Sequence, residues 1–148
     1  MLLSLLVACA DASPPADLTA YRWTNRLLLL FAPAADHPSL LAQRAAFAGQ
    51  EAAVVDRRLL VVESVGGDGA ELRRRFGVAP EVYLGVLVGL DGGEKRRESE
   101  PLGVAAWFAT IDAMPMRARE LARRQMPLRA DDPPGQTNTE PVPSRGAE

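Results

Sequence analysis

The stretch Leu27-Leu28-Leu29-Leu30-Phe31 admits few placements in a folded chain. Successive side chains of an extended segment point to opposite sides of a sheet, so a continuous apolar run needs an apolar layer over both. Such a strand belongs in the middle of an α/β sheet with helices on each face. The next residues fit that placement. Pro33 ends the run, Asp36 or His37 can cap a helix, and Pro38 is tolerated in the first turn, where its missing N–H bonds nothing anyway. Leu40, Leu41, Arg44, Ala45, Phe47 and Ala48 then recur at helical spacing. The pattern predicts a helix running through Gly49 towards Val55, with Arg44 snorkelling at the edge of its stripe.

"RRLLVVESV", Arg57 to Val65, predicts a second buried strand, β-branched at its centre. Gly66-Gly67 turns the chain, and Asp68 to Glu71 has the spacing of a capping box opening a short helix with Leu72 and Phe76, ended near Gly77. Val82 to Leu90 reads as a strand, Asp91-Gly92-Gly93 as a tight hairpin turn, and Glu94 to Glu98 as its antiparallel partner. Pro101 opens a third helix whose apolar face is Val104, Trp107, Phe108 and Ile111. Met114-Pro115 breaks it, and "MRARELARRQ" adds a final amphipathic turn or two. Two strands joined through a helix lie parallel with a right-handed crossover, whereas the last two form a hairpin. The order β-α-β-α-β-β-α is that of a thioredoxin-like α/β fold, a mixed four-stranded central sheet flanked by helices.

The chain divides into an N-terminal address and linker over 1–20, the folded domain over 21–126, and a polar, proline-rich tail over 127–148 without periodicity, read as disordered. Leu2 to Ala8 is far too short to span a bilayer, which takes ~20 residues. It reads as the end of a secretory signal. Leu6-Val7-Ala8-Cys9 resembles the lipobox of bacterial lipoproteins, which implies acylation of Cys9 and a membrane tether at the N-terminus alone. Ala8-Cys9-Ala10 and Ala10-Asp11-Ala12 also offer ordinary small-x-small cleavage sites, and an incidental cysteine in a frayed cytosolic terminus is the plain alternative.

Composition removes several function classes. A net charge of −2 gives no general attraction to nucleic acid, and 5% aromatic content argues against a base-stacking platform. A single cysteine, Cys9, cannot run a dithiol–disulfide cycle alone. A single histidine, His37, leaves little material for a zinc site, so neither metal nor cofactor is expected.

In thioredoxins the loop after the first core strand carries the redox cysteines. Here that loop, Pro33 to Pro38, holds Ala34, Ala35, Asp36 and His37. No thiolate means no disulfide exchange, and no catalytic residue is assigned. A helix N-terminus with free amides remains, able to hold an anion or a peptide carboxylate, as any helix start could. "FGVAPEVYLGVLVG" resembles the thioredoxin segment in which a cis-proline precedes a core strand, which places Pro80 in that role, cis and facing the loop. Arg73, Arg74 and Arg75, Arg96 and Arg97, and Arg117, Arg119, Arg123 and Arg124 form clusters that nearby Glu71, Glu98 and Glu120 can neutralise; meeting on one surface, they could instead bind an acidic partner or anionic headgroups. Trp23 could pack over the sheet end and Arg26 could pair with an acidic neighbour.

"YRWTNRLLLLFAP", "DRRLLVVESV", "LRRRFGV", "LVGLDGGEKRR" and "IDAMPMRARE" together resemble a bacterial family known only as a domain of unknown function, related to a domain of animal extracellular sushi-repeat-containing proteins. The resemblance runs from about Tyr21 to Glu120 and implies a thioredoxin-like or peroxiredoxin-like fold in an exported setting. It carries over no catalytic residue. The expectation is an exported, non-catalytic module that binds a protein or peptide in the periplasm or at the cell envelope. The competing reading is a redox enzyme working without a cysteine pair, or with a partner's thiol, that uses the loop of Asp36 and His37 near Pro80, with His37 as a base. Growth with a radiolabelled fatty acid should label the wild-type protein and leave Cys9→Ser unlabelled; unlabelled wild type would remove the lipid anchor.

Overall fold

The computed structural model describes residues 17–126, with only the backbone of Asp68. The readings on Cys9 and on 127–148 lie outside the described residues. The elements are β1 (Arg26–Ala32), α1 (Pro38–Phe47), α2 (Glu51–Asp56), β2 (Leu59–Val65), α3 (Ala70–Phe76), β3 (Leu84–Val88), β4 (Glu94–Glu98), α4 (Val104–Asp112) and α5 (Pro115–Gln125), with 3₁₀ turns at Thr19–Tyr21 and Gly66–Gly69.

All seven residues of β1 are buried. It pairs in parallel with β2, Leu28 opposite Val61, and antiparallel with β3, Leu29 opposite Val86. With β4 beside β3, the sheet order is β2-β1-β3-β4, the mixed thioredoxin-like arrangement expected from the element order. Alternation along β1 builds two cores. Leu28, Leu30 and Ala32 pack with Leu40 of α1 and with Trp107, Phe108 and Ile111 of α4. Leu27, Leu29 and Phe31 pack with Leu72 of α3, Val78 and Val86. Leu18, placed in the linker by sequence, is buried in this second core.

Several expectations are corrected. β2 is not buried throughout: Leu60 and Val61 are each 38% exposed, because β2 is an edge strand with a neighbour on one side only. The first helix stops at Phe47, since Gly49 adopts φ +77° and α2 starts anew at Glu51. Its inner stripe is Leu40, Gln43 and Phe47; Leu41 is exposed and Arg44 turns outward to pair with Glu63, Nε to Oε1 2.8 Å. The helix after Gly66-Gly67 starts at Ala70 with Gly69, not Asp68, in the N-cap position. Glycine is needed at 69 for another reason: a Cβ there would lie 1.7 Å from Ser64 Oγ. The third helix begins at Val104, three residues beyond Pro101, and α5 runs a full eleven residues. Trp23 is 58% exposed with φ +65°, and it is its N–H that is engaged, donating to Leu90 O at 2.7 Å.

Buried polar groups lock the layers. Gln43 is fully buried; its Nε2 donates to Leu102 O at 2.8 Å, and its Oε1 accepts from Leu102 N, Tyr83 Oη and Trp107 Nε1 at 2.9, 3.2 and 3.2 Å. At the amino end of β1, Arg26 is buried and forks onto Glu120 of α5 at 3.3 and 3.2 Å, the acidic partner its position called for. Arg117 ties Asp56, Asp112 and Glu120 together, and Arg124 also reaches Asp56. Hydrogen bonds from Arg124 and then Arg117 hold the Asp56 carboxyl below the usual carboxylate range.

Gln43→Leu keeps the bulk of the side chain and strands the Leu102 amide, the Tyr83 hydroxyl and the Trp107 indole N–H. Urea unfolding should show a loss of about 3 kcal/mol; a loss below about 0.5 kcal/mol would show the hub to be dispensable.

Candidate functional site

β1 and β2 run parallel, so their carboxyl ends meet at one rim of the sheet, with the segment leading into β3 beside them. That is where ligands of open α/β sheets bind. Pro33, half-buried, leaves β1 there, and Ala34, Ala35 and Asp36 are exposed. His37 N donates to Ala34 O at 3.1 Å, closing a tight turn before α1.

His37 takes the N-cap of α1. Its Nδ1 accepts from Ser39 N at 3.3 Å, which puts the proton of the neutral ring on Nε2. The imidazole stacks on Tyr83, centroids 6.2 Å apart and planes 4° from parallel. Tyr83 in turn donates to Gln43, and burial pushes its phenol up to about 12. His37 therefore caps and stacks, and Asp36 faces solvent; the two do not form an acid–base pair across a cavity.

Pro80 is not cis: no peptide bond of the described residues is. It sits second in a four-residue turn closed by Val82 N donating to Ala79 O at 3.2 Å, a position that favours the fixed φ of proline in the trans form. The expectation that Pro80 lies near the loop after β1 nevertheless holds. Pro33 and Pro80 line the same cavity of about 450 Å³, completed by Gly66, Gly67, Ala70 and Val78. Asp36 and His37 are not among its lining residues.

The residue that sequence reasoning missed is Arg73. In the sequence it stands in a run with two exposed neighbours, yet it is 4% exposed and lines the cavity, with exposed Arg74 beside it. Its Nη1 donates to Ala79 O at 2.9 Å and more weakly to Val82 O at 3.5 Å. Its Nη2 donates to Ala32 O and, at 3.5 Å, to Ser64 O. One guanidinium thus clamps the ends of β1 and β2 to the loop carrying Pro80, and its Cζ lies 5.8 Å from the Phe31 ring centroid. Burial lowers its pKa, opposed by the through-space charge of Glu81. The sequence held a cue: positions 72, 73 and 76 share the inner face of a helix, so Arg73 had to point inward with Leu72 and Phe76.

Most arginines of the other clusters are paired with carboxylates, while Arg119 and Arg123 line a small hollow with Arg58 and Glu120. Arg96 pairs with Glu98 and Arg97 with Glu94, both within β4, and Arg117 and Arg124 belong to the network around Asp56. Among the described residues no group of His, Cys, Asp or Glu could hold a metal ion, and no helix is long and apolar enough to cross a membrane.

Residues 17–120 match a family described as "Domain of unknown function (DUF4174)". A search of curated proteins gave no match. Among solved structures the chain is similar to reduced 2-Cys peroxiredoxin of Plasmodium vivax, with a TM-score of 0.56 and 14% identity over 69% of this chain and 84% of that one. At that identity the likeness shows the fold, α/β and thioredoxin-like, and the fold alone.

The buried phenol gives a pH signature. Tyr83 in the unfolded chain ionises near pH ~10, so the folded state keeps that proton longer. Stability is full below pH ~10 and declines as pH rises towards the folded value of about 12. Absorbance titration should show a phenol ionising near 12 that vanishes in Tyr83→Phe; complete ionisation by pH ~10.5 would contradict the buried placement.

Proposed function

The chain belongs to the family described as a domain of unknown function (DUF4174), and we propose that its thioredoxin-like domain is a binding module for a protein or peptide, exported to the periplasm or cell envelope, and not a thiol enzyme. The observation that carries this reading is how the rim of the sheet is occupied. The loop after β1 supplies no thiol, and its ring is engaged in capping α1 and stacking on Tyr83. Beside it stands a cavity of about 450 Å³ with a buried arginine in its wall, a volume suited to one or two side chains of a partner. A binding site needs shape and fixed polar groups, and both are here; disulfide or peroxide chemistry needs a sulfur nucleophile at this rim.

Export rests on the apolar segment before Cys9 and on the resemblance to an extracellular animal domain. Cys9 would anchor the chain by acylation and leave the domain free to meet its partner.

Insulin reduction and catalytic peroxide consumption by the purified Cys9→Ser chain should read blank. A random peptide library passed over the immobilised chain should yield ligands whose retention falls at least tenfold in Ala70→Trp, which fills the cavity from an exposed helix position while circular dichroism stays unchanged. Multiple turnovers in either assay would replace the binding reading with the redox one, and ligands indifferent to Ala70→Trp would move binding elsewhere.

A further inference from the structure

We infer that the cavity beside Arg73 recognises a carboxylate of its peptide ligand, carried next to an apolar side chain. The inference rests on the binding-module reading and specifies what that site reads.

Charge is the first argument. A buried cation is costly unless paired, and the buried arginines elsewhere in this domain obey that rule: Arg26 has Glu120, and Arg117 has Asp56, Asp112 and Glu120. Arg73 is as deeply placed, yet no carboxylate of the described residues lies within ion-pair distance of it. Its terminal nitrogens meet carbonyl oxygens, which supply dipoles and no negative charge. Its Nε is buried without an acceptor. Arg74 stands exposed at the same cavity and forms no ion pair with a described residue. Exposed Glu81 acts on Arg73 only through space, so among the described residues the cavity has a buried cation without a contact ion pair in its wall and a second cation at its mouth. In a site partly withdrawn from water their field favours an anion far more than it would at an open surface.

The walls decide which anion. Pro33, Ala70, Val78 and Pro80 present hydrocarbon, and the two glycines add no side chain. A dianion such as phosphate would lose more hydration here than one cation and one rim charge return. A carboxylate carries a single charge on a planar group that matches the exposed guanidinium of Arg74, while the field of Arg73, whose own donors are held by carbonyls, acts from the wall. An adjoining apolar side chain can cover the prolines. Two sources share this chemistry: the C-terminal carboxylate of a chain, and an Asp or Glu side chain.

Three pools of random N-acetylated pentapeptides separate the cases on the immobilised full chain: amidated without Asp or Glu, amidated with Asp and Glu, and free-acid without Asp or Glu. One or both carboxylate pools should be retained at least tenfold over the neutral pool, and which one names the source. Arg74→Glu, at an exposed position, should cut that retention at least fivefold with the unfolding midpoint unchanged, and rising salt should do the same. Equal retention of all three pools, still abolished by Ala70→Trp, would overturn the carboxylate reading and leave the binding module standing. Retention of none would overturn both.

Discussion

The burial of β1 on both faces is the constraint on which the rest of this domain depends. Seven consecutive side chains find no solvent, so an apolar layer must stand on each side, and α1 with α4 and α3 with the Leu18 segment are those layers. The same burial leaves the strand ends without water for their polar groups. Both ends are closed by arginine. At the amino end the side chain of Arg26 itself turns to Glu120, which fastens α5 to the sheet. At the carboxyl end the carbonyl of Ala32 receives Arg73 from α3.

These closures are not equivalent, and the difference matters for function. Arg26 forks onto Glu120, a carboxylate shared with Arg58 and Arg117, so that end is a structural joint made of direct ion pairs. Among the described residues Arg73 donates to carbonyls alone and feels Glu81 only through space, so its end has a cation without a contact ion pair in the wall of a cavity. Gln43 does for the other core what neither arginine can. It is neutral, and by accepting three donors while giving one it joins α1, α4 and the residue before β3 without adding a field. The domain thus uses a neutral hub inside one core and charged ones at the two ends of β1.

Much of this was legible from local pattern. The apolar run gave β1, Asp91-Gly92-Gly93 gave the hairpin, and the spacing of Trp107, Phe108 and Ile111 gave the inner face of α4. What escaped were properties set by neighbours far along the chain. Leu60 and Val61 read as core because their composition matches that of a central strand; only the strand order reveals that β2 has a single neighbour. Gln43 and Arg73 share the phase of Leu40 with Phe47 and of Leu72 with Phe76, but polarity outweighed phase in placing them. Pro80 resembled a cis-proline by position, and the turn from Ala79 to Val82 gives it a different task.

The start of α1 shows why a thioredoxin-like frame need not imply thiol chemistry. A reactive thiolate at this place would draw on the unpaired amides of the first helical turn, whose partial positive charge stabilises an anion. In this chain those amides are largely withdrawn. Pro38 has no N–H to offer, and that of Ser39 is held by His37, whose ring is fixed in turn by its stack on Tyr83. The positive charge available at the rim has moved across it, from the helix after β1 to the arginine of the helix after β2. Arg73 and Arg74 line the cavity at this end of the sheet, and the residues at the start of α1 do not. Placing charge beside an open cavity, on a side chain clamped by the carbonyls of two strands and a loop, suits recognition of a bound group.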